Sequence, residues 1–221
     1  VHADTGKSVG YYGKEGVEEI LKELEPYSDS QTWSEGHLIG LAQKDLAVTI
    51  EPAAQFEISV SPQYELSEID RIYRQFMQKL EPILKKRRLF LVPCGYQPVS
   101  RIDDLKLIPK QRYEFMYRYF SELKGLGPNM MKGTASVHLS IDYCSEGNFR
   151  KKYGIAYALA PVLSFMTENT KVFEGRPYDR HLLRLKIWNE TDPARVDVSP
   201  YMKDGGMDFD RYIDFVCHAP V

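Results

Sequence analysis

Carboxylates and one amide on a short stretch of this 221-residue chain are the first residues that could do chemistry. Residues 49–59 alternate polar and apolar side chains, and a period of two predicts a β-strand. One face of that strand would carry Glu51, Gln55, Glu57 and Ser59. Glutamate is unfavourable inside a sheet unless it is solvated, paired or bound to a cation. The spacing is compatible with a polar, metal-binding cavity floor, although on spacing alone an edge strand with one solvated face is the simpler interpretation.

Arginines form the second group of candidate residues. They cluster late in the chain around Trp188, and they are Arg176, Arg180, Arg184 and Arg195. Carboxylates that bind Mg²⁺, together with arginines that bind anionic groups, are what ATP-dependent activation of a carboxylate requires. Ordinary surface charge would give the same set of residues.

Several standard sites are absent from the sequence. Gly6, Lys7 and Ser8 resemble the end of a phosphate-binding loop, but the first glycine of that motif would fall at Val1. The chain contains no Gly-x-Ser-x-Gly, His-Glu-x-x-His or Cys-x-x-Cys motif. The motifs of α/β-hydrolases, of the zinc peptidases with a His-Glu-x-x-His helix and of paired-cysteine sites are therefore missing.

The composition limits the kinds of partner and the cellular compartment that we predict for the protein. The formal net charge of −2 gives no electrostatic case for nucleic acid or an anionic membrane, and no apolar run is long enough to span a bilayer. The first residues lack the pattern of a signal peptide. Three cysteines that lie far apart in the sequence are typical of reduced thiols. We therefore predict a cytoplasmic protein with no nucleic-acid or membrane partner.

The periodicity of apolar residues predicts mixed helices and strands. Helices are predicted at residues 15–25, 66–86, 111–123, 145–169 and 209–218. Strands are predicted at residues 7–12, 37–43, 46–51, 49–59, 89–92 and 134–143. Ser67 with Asp70 resembles a capping box, and Ser145 is placed to cap the helix that follows it. Because strands follow one another directly, we expect an α+β fold with an antiparallel β-sheet flanked by helices, in one domain over residues 1–221.

Five blocks in the same order carry a resemblance to a known family. They are Glu51-Pro-x-x-Gln-Phe-Glu57, Pro109-Lys-Gln-Arg-Tyr113, Met130-Met131 with Thr134 and Asp142-Tyr143, Phe173-Glu-Gly175, and Arg184-x-x-Ile-Trp188 with Asp192 and Arg195. The sequence resembles the plant and bacterial type of glutamate–cysteine ligase, whose first block reads Glu-Pro-Gly-Gly-Gln-Phe-Glu. The blocks are spread over residues 51–195, and the resemblance as a whole covers most of residues 12–218.

The resemblance implies both a fold and a reaction. The fold would be glutamine-synthetase-like, with an antiparallel sheet that forms a cupped catalytic core. The reaction would use ATP to phosphorylate the glutamate γ-carboxylate, and the cysteine amine would attack the γ-glutamyl phosphate. The product would be γ-glutamylcysteine, for glutathione biosynthesis, with Mg²⁺ as the cofactor and glutamate, cysteine and ATP as ligands. A homodimer is one oligomeric state that the sequence leaves open.

The resemblance also implies roles for individual residues. Glu51 and Glu57 would serve the metal–nucleotide site. Arg112 and Arg184 would be the catalytic residues that hold the carboxylates of glutamate, and they would converge although they lie about 70 residues apart. The substrate pocket would also be lined by Thr134 and Trp188.

Departures from the family pattern raise alternatives. Ala53 and Ala54 replace two glycines, and Gly133 replaces an arginine. The family's acidic N-terminal strand would precede Val1, so we expect this chain to be part of a longer enzyme, cut at both ends. Without that strand the two carboxylates have few partners. A module that binds glutamate or nucleotide without turnover, or a ligase that joins glutamate to another amine, therefore stays open.

Overall fold

The computed structural model describes residues 1–196 and 206–218. Its helices are α1 (Val17–Leu24), α2 (Leu66–Lys86), α3 (Gln111–Glu122), α4 (Gly127–Gly133), α5 (Glu146–Met166), α6 (Leu183–Asn189) and α7 (Phe209–Cys217). Its strands are β1 (Ser30–Ser34), β2 (His37–Gln43), β3 (Leu46–Ile50), β4 (Phe56–Val60), β5 (Val172–Phe173) and β6 (Arg176–Pro177). Short 3₁₀ turns lie at Glu25–Tyr27 and Ile102–Asp104.

The first four strands form one antiparallel sheet in the order β1-β2-β3-β4. Each strand pairs with the next in sequence, so tight turns suffice to connect them. In the last pair, Val48 lies opposite Ile58 and Thr49 lies opposite Glu57. This sheet, with helices packed against it, confirms the predicted α+β class. The cupped glutamine-synthetase-like core stays a prediction.

Helices α1 and α2 cover one face of the sheet. Helix α2 begins and ends at the predicted residues, because its apolar side chains recur on one stripe. The buried members of that stripe are Ile72, Phe76, Leu80, Ile83 and Leu84. Each fully buried side chain of this kind contributes about 1.5–3 kcal/mol. The predicted capping box at Ser67 is wrong, since Glu65 precedes the helix and no side chain caps it.

Three of the predicted strands are wrong or altered in the first half of the chain. Residues 7–12 form no strand, and residues 89–92 contribute only an isolated bridge between Leu89 and His2. The stretch 49–59 is divided, because β3 ends at Ile50 and β4 begins at Phe56. The polar residues at its centre therefore lie in a turn, where the period of two does not apply.

The predicted strand at residues 134–143 is also wrong. Thr134 makes one bridge to Tyr96, and the rest of this stretch forms no ladder with the described part of the chain. Its apolar side chains are exposed, with Val137 at 98%. Alternation gives a stretch the capacity to be a strand, but a strand exists only where another backbone pairs with it.

The last helices pack through aromatic rings and leave much apolar surface exposed. Ser145 caps α5 as predicted, accepting a hydrogen bond from the backbone of Asn148. The rings of Tyr143, Phe149 and Phe209 lie 5.2–5.6 Å apart, which ties α7 to the start of α5. None of the described helices is long and apolar enough to cross a membrane.

Candidate active site

The turn that joins β3 to β4 presents the first candidate residue, Glu51. Its backbone nitrogen donates to the carbonyl of Gln55 at 2.9 Å, and Ala54 donates back to the Glu51 carbonyl at 3.0 Å. Ala54 has a φ of 71°, in the left-handed region where glycine is usual. Alanine at this position is therefore held in a strained conformation by its surroundings.

Gln55 supplies much of that restraint. Its side-chain oxygen accepts a hydrogen bond from Ala53 at 2.8 Å, which closes the turn. Its side-chain nitrogen donates to the carbonyls of Met131 at 3.0 Å and Thr134 at 3.3 Å. Because both ends of the amide are engaged, Gln55 fixes the turn against the end of α4. The sequence predicted Gln55 as part of a cavity floor, whereas its amide is a structural tie.

Glu51 and Glu57 are brought together by this turn. Burial raises the pKa of the Glu51 carboxyl, and the charge of Glu57 with a hydrogen bond between the two carboxyls raises it further. Two carboxylates at such short range repel each other when both are ionised, so a cation between them would stabilise the charged pair. The predicted juxtaposition is therefore present, although only Glu57 lies on a strand.

Cationic and phenolic groups at the start of α3 face the carboxylates. Tyr113 donates from its hydroxyl to Glu51 Oε1 at 3.3 Å and accepts from Arg112 at 2.8 Å. Lys110 donates from Nζ to the carbonyl of Ile50 at 3.0 Å. Burial lowers the pKa of Lys110, and the charge of Arg112 lowers it further, while the two glutamates oppose this shift. Opposite charges therefore line one small region.

The donor set of this region fits Mg²⁺ that arrives with a phosphate ligand. Within residues 1–196 and 206–218, no group of three or more metal-ligating side chains occurs. Mg²⁺ is usually bound by one or two carboxylates and completes its shell with water and substrate phosphates. Glu51 and Glu57 would hold the ion, and the cation Lys110 would suit the phosphates.

Arg184 lies at the start of α6 in a different setting. Its Nε is buried and has no hydrogen-bond partner in the part of the chain that the structure describes, and burial lowers its pKa. The guanidinium carbon lies 5.4 Å from the centroid of the Trp188 ring. Gly95 lies close to the same side chain, since a Cβ atom at Gly95 would come within 3.1 Å of Arg184 Cδ. A half-buried guanidinium that has no carboxylate partner among the described residues suits an anionic ligand such as a carboxylate.

The structure shows no direct contact between Arg112 and Arg184, which the resemblance places on one substrate. A chain of contacts connects their surroundings. Thr134 accepts from Gln55 and bridges to Tyr96, next to Gly95. The Thr134 hydroxyl itself donates to the Met130 carbonyl at 2.7 Å, so it is engaged within the protein.

Glu168 fixes the approach to α6. Its side chain is 9% exposed and pairs with His181 at 2.7 Å and Lys171 at 3.1 Å. It also accepts from the backbone nitrogen of Leu182 at 2.7 Å, the residue before α6, which has a φ of 58°. Glu168 therefore holds a strained residue two positions before Arg184. Sequence reasoning missed this residue, since nothing local marks it.

The pH dependence of stability should report this contact. The hydrogen bond from His181, then that from Leu182, lowers the pKa of Glu168 from 4.5 to about 2. The contribution of Glu168 to stability is therefore complete above pH 4.5 and is lost as the pH falls towards 2. The melting temperature of Glu168→Gln should lie below that of the wild type at pH 5.5, and the gap should narrow by pH 2.5. Glu81→Gln, on an exposed face of α2, is the matched control, and a gap that stays constant would contradict the assignment.

Comparison with known proteins places the chain in a family. The profile of glutamate-cysteine ligase family 2 matches residues 1–221, and the chain belongs to that family. It is similar to the chloroplastic glutamate–cysteine ligase of Nicotiana tabacum, with 28% identity over 94% of this chain and 40% of the relative. For ligase A of Oryza sativa subsp. indica, identity is 28% over 99% of this chain and 44% of the relative. The chain thus spans less than half the length of these relatives.

The names of the relatives state a cellular compartment for those proteins. Those of tobacco and rice are named chloroplastic, as is the Arabidopsis thaliana relative, which is 28% identical over 83% of this chain. The sequence predicted a cytoplasmic protein. For this chain the compartment stays a prediction.

The structure adds residues to the candidate site that sequence reasoning did not name. Lys110 and Tyr113 belong to the same sequence block as Arg112, so their position in that block could have indicated a place in the site. Asn169 accepts from Gly95 at 2.9 Å and thereby sets the loop beside Arg184. No local pattern marks it, because its partner is 74 residues away in the sequence.

Proposed function

We propose that the protein joins the γ-carboxylate of glutamate to the amine of cysteine in an ATP-dependent reaction. The observation that carries the proposal is the paired carboxylates of Glu51 and Glu57 set against Lys110 and Arg112, in a member of this ligase family. Phosphoryl transfer between anions needs carboxylates for a metal ion and cations for the phosphate and carboxylate groups.

The reaction proceeds in two steps. The glutamate γ-carboxylate oxygen attacks the terminal phosphorus of ATP, ADP leaves, and γ-glutamyl phosphate forms. The cysteine amine then attacks the acyl carbon, loses a proton and expels inorganic phosphate, which leaves γ-glutamylcysteine. Bound Mg²⁺ would supply charge neutralisation at the phosphate oxygens.

The residues of this chain bind and orient the reactants. Glu51 and Glu57 would hold Mg²⁺ through their carboxylates. Arg112 and Arg184 would hold glutamate through their guanidinium groups. Trp188, which packs beneath the guanidinium, limits the freedom of that side chain. Positioning of this kind reduces the entropic part of the barrier.

The test is an assay of ADP and phosphate release by the full-length protein with Mg²⁺ and glutamate labelled with ¹⁸O in its γ-carboxylate. We expect ADP release to require both glutamate and cysteine, and we expect one labelled oxygen to appear in the phosphate. Transfer of the label reports the γ-glutamyl phosphate intermediate. ADP release without label in the phosphate would contradict the two-step mechanism.

The same assay separates the alternative functions. Glutamate and nucleotide binding without ADP release would identify a binding module. Faster product formation with another small amine than with cysteine would identify a ligase of different acceptor specificity. Either result would replace the proposed function.

A further inference from the structure

Tyr113 occupies a central place between the two substrate regions. The residue is 2% exposed, and its hydroxyl accepts from Arg112 Nη2 at 2.8 Å while it donates to Glu51 Oε1 at 3.3 Å. The Arg112 guanidinium also lies over the ring, 4.7 Å from its centroid. One buried hydroxyl thus connects a residue assigned to glutamate with a residue assigned to the metal.

The chain around Tyr113 holds the turn at two further points. Lys110 Nζ binds the carbonyl of Ile50 at 3.0 Å, and the backbone nitrogen of Ile108 binds the carbonyl of Pro52 at 2.9 Å. The residues on both sides of Glu51 are therefore fixed by residues 108–113. With its backbone held, the side chain of Glu51 is oriented by the Tyr113 hydroxyl.

We propose that Tyr113 is a positioning residue that couples glutamate binding to binding of the metal–nucleotide complex. The inference rests on the proposed function, and it concerns how the two subsites communicate. A carboxylate on Arg112 restricts the guanidinium, which fixes the Tyr113 hydroxyl and with it the orientation of Glu51 Oε1. The metal–nucleotide complex then meets a carboxylate that is already in place.

The coupling must be reciprocal. If glutamate tightens binding of the nucleotide by some factor, the nucleotide tightens binding of glutamate by the same factor. The full worth of a hydrogen bond to a charged group corresponds to roughly 10- to 150-fold in an equilibrium constant, which sets the upper limit of that factor. A residue that merely packs would change stability and leave the factor unaltered.

The experiment measures binding by calorimetry in the full-length protein. Mg²⁺ with a non-hydrolysable ATP analogue is titrated with and without saturating glutamate, and the converse titration follows. We expect the wild type to show equal factors in both directions. Tyr113→Phe should reduce both factors to about one, while each ligand alone binds within about threefold of the wild-type value. This variant keeps the ring and removes only the hydroxyl.

Tyr117→Phe is the matched control, because Tyr117 lies on the same helix with its ring beneath Lys132 and outside the proposed site. It should retain the wild-type factors, and thermal unfolding of all three proteins checks the fold. Binding of both ligands without coupling in the wild type, or coupling that survives Tyr113→Phe, overturns this inference alone. Failure of the wild type to bind either ligand overturns the proposed function as well.

Discussion

Arg184→Ala is expected to raise the KM for glutamate by roughly 30-fold or more, while the KM for ATP changes much less. The guanidinium is half-buried and has no carboxylate partner among the described residues, so a carboxylate that binds it makes charge-assisted hydrogen bonds away from bulk water. Loss of one partner of such a pair typically costs about 2–5 kcal/mol. Steady-state kinetics of the full-length protein, with each substrate varied in turn, measures both constants.

Two further variants sharpen the test of Arg184. Arg184→Lys keeps the charge but lacks the planar fork, so its KM for glutamate should lie between those of the wild type and Arg184→Ala. Arg176→Ala removes an exposed arginine of β6 and should leave both constants near the wild-type values. Similar small rises in both KM values for Arg184→Ala would show that Arg184 has no role in glutamate binding.

Helix boundaries in this protein follow from the sequence because the signal is local. The stripe of α2, from Leu66 to Lys86, repeats over its whole length, and each turn buries the next member of the same set. The predicted and observed ends therefore coincide. Helix α3 begins at the predicted Gln111 and ends one residue early for the same reason.

The turn at residues 51–55 could not be predicted, because distant contacts hold it. Ala54 adopts a left-handed conformation that its sequence does not favour. The restraint comes from Gln55, whose side chain reaches Met131 at a separation of 76 residues. Local alternation predicted a continuous strand, and tertiary contacts overrode that preference.

In the candidate site, the sequence indicates which types of residue take part but not how they are arranged. Spacing alone favoured an edge strand for Glu51 and Glu57, and the resemblance supplied their proposed role. The structure then brings them together by a turn, with Tyr113 and Lys110 added from α3. Those additions depend on how the helix packs against the sheet, which no pattern within the block expresses.

Glu51→Gln is expected to abolish Mg²⁺-dependent turnover and also to make the metal-free protein more stable. Even outer-shell partners of a metal ligand are typically worth 10–100-fold in affinity or activity, so loss of a ligand should lower kcat/KM by more than about 100-fold. Burial raises the pKa of Glu51, and repulsion from Glu57 raises it further. The neutral amide of glutamine fits the same space and removes that repulsion. Turnover assays and thermal unfolding with and without Mg²⁺ measure the two effects.

The opposite signs of these two effects distinguish a ligand site from a structural contact. A carboxylate that only supports the fold would lose both stability and activity on substitution, whereas residues kept for ligand binding at a cost in stability gain stability when replaced. Mg²⁺ should raise the melting temperature of the wild type and leave that of Glu51→Gln unchanged. Glu65→Gln, at an exposed position before α2, is the matched control and should behave as the wild type does. A destabilised Glu51→Gln that still responds to Mg²⁺ would show that the ion binds elsewhere and that the pair of carboxylates serves the turn.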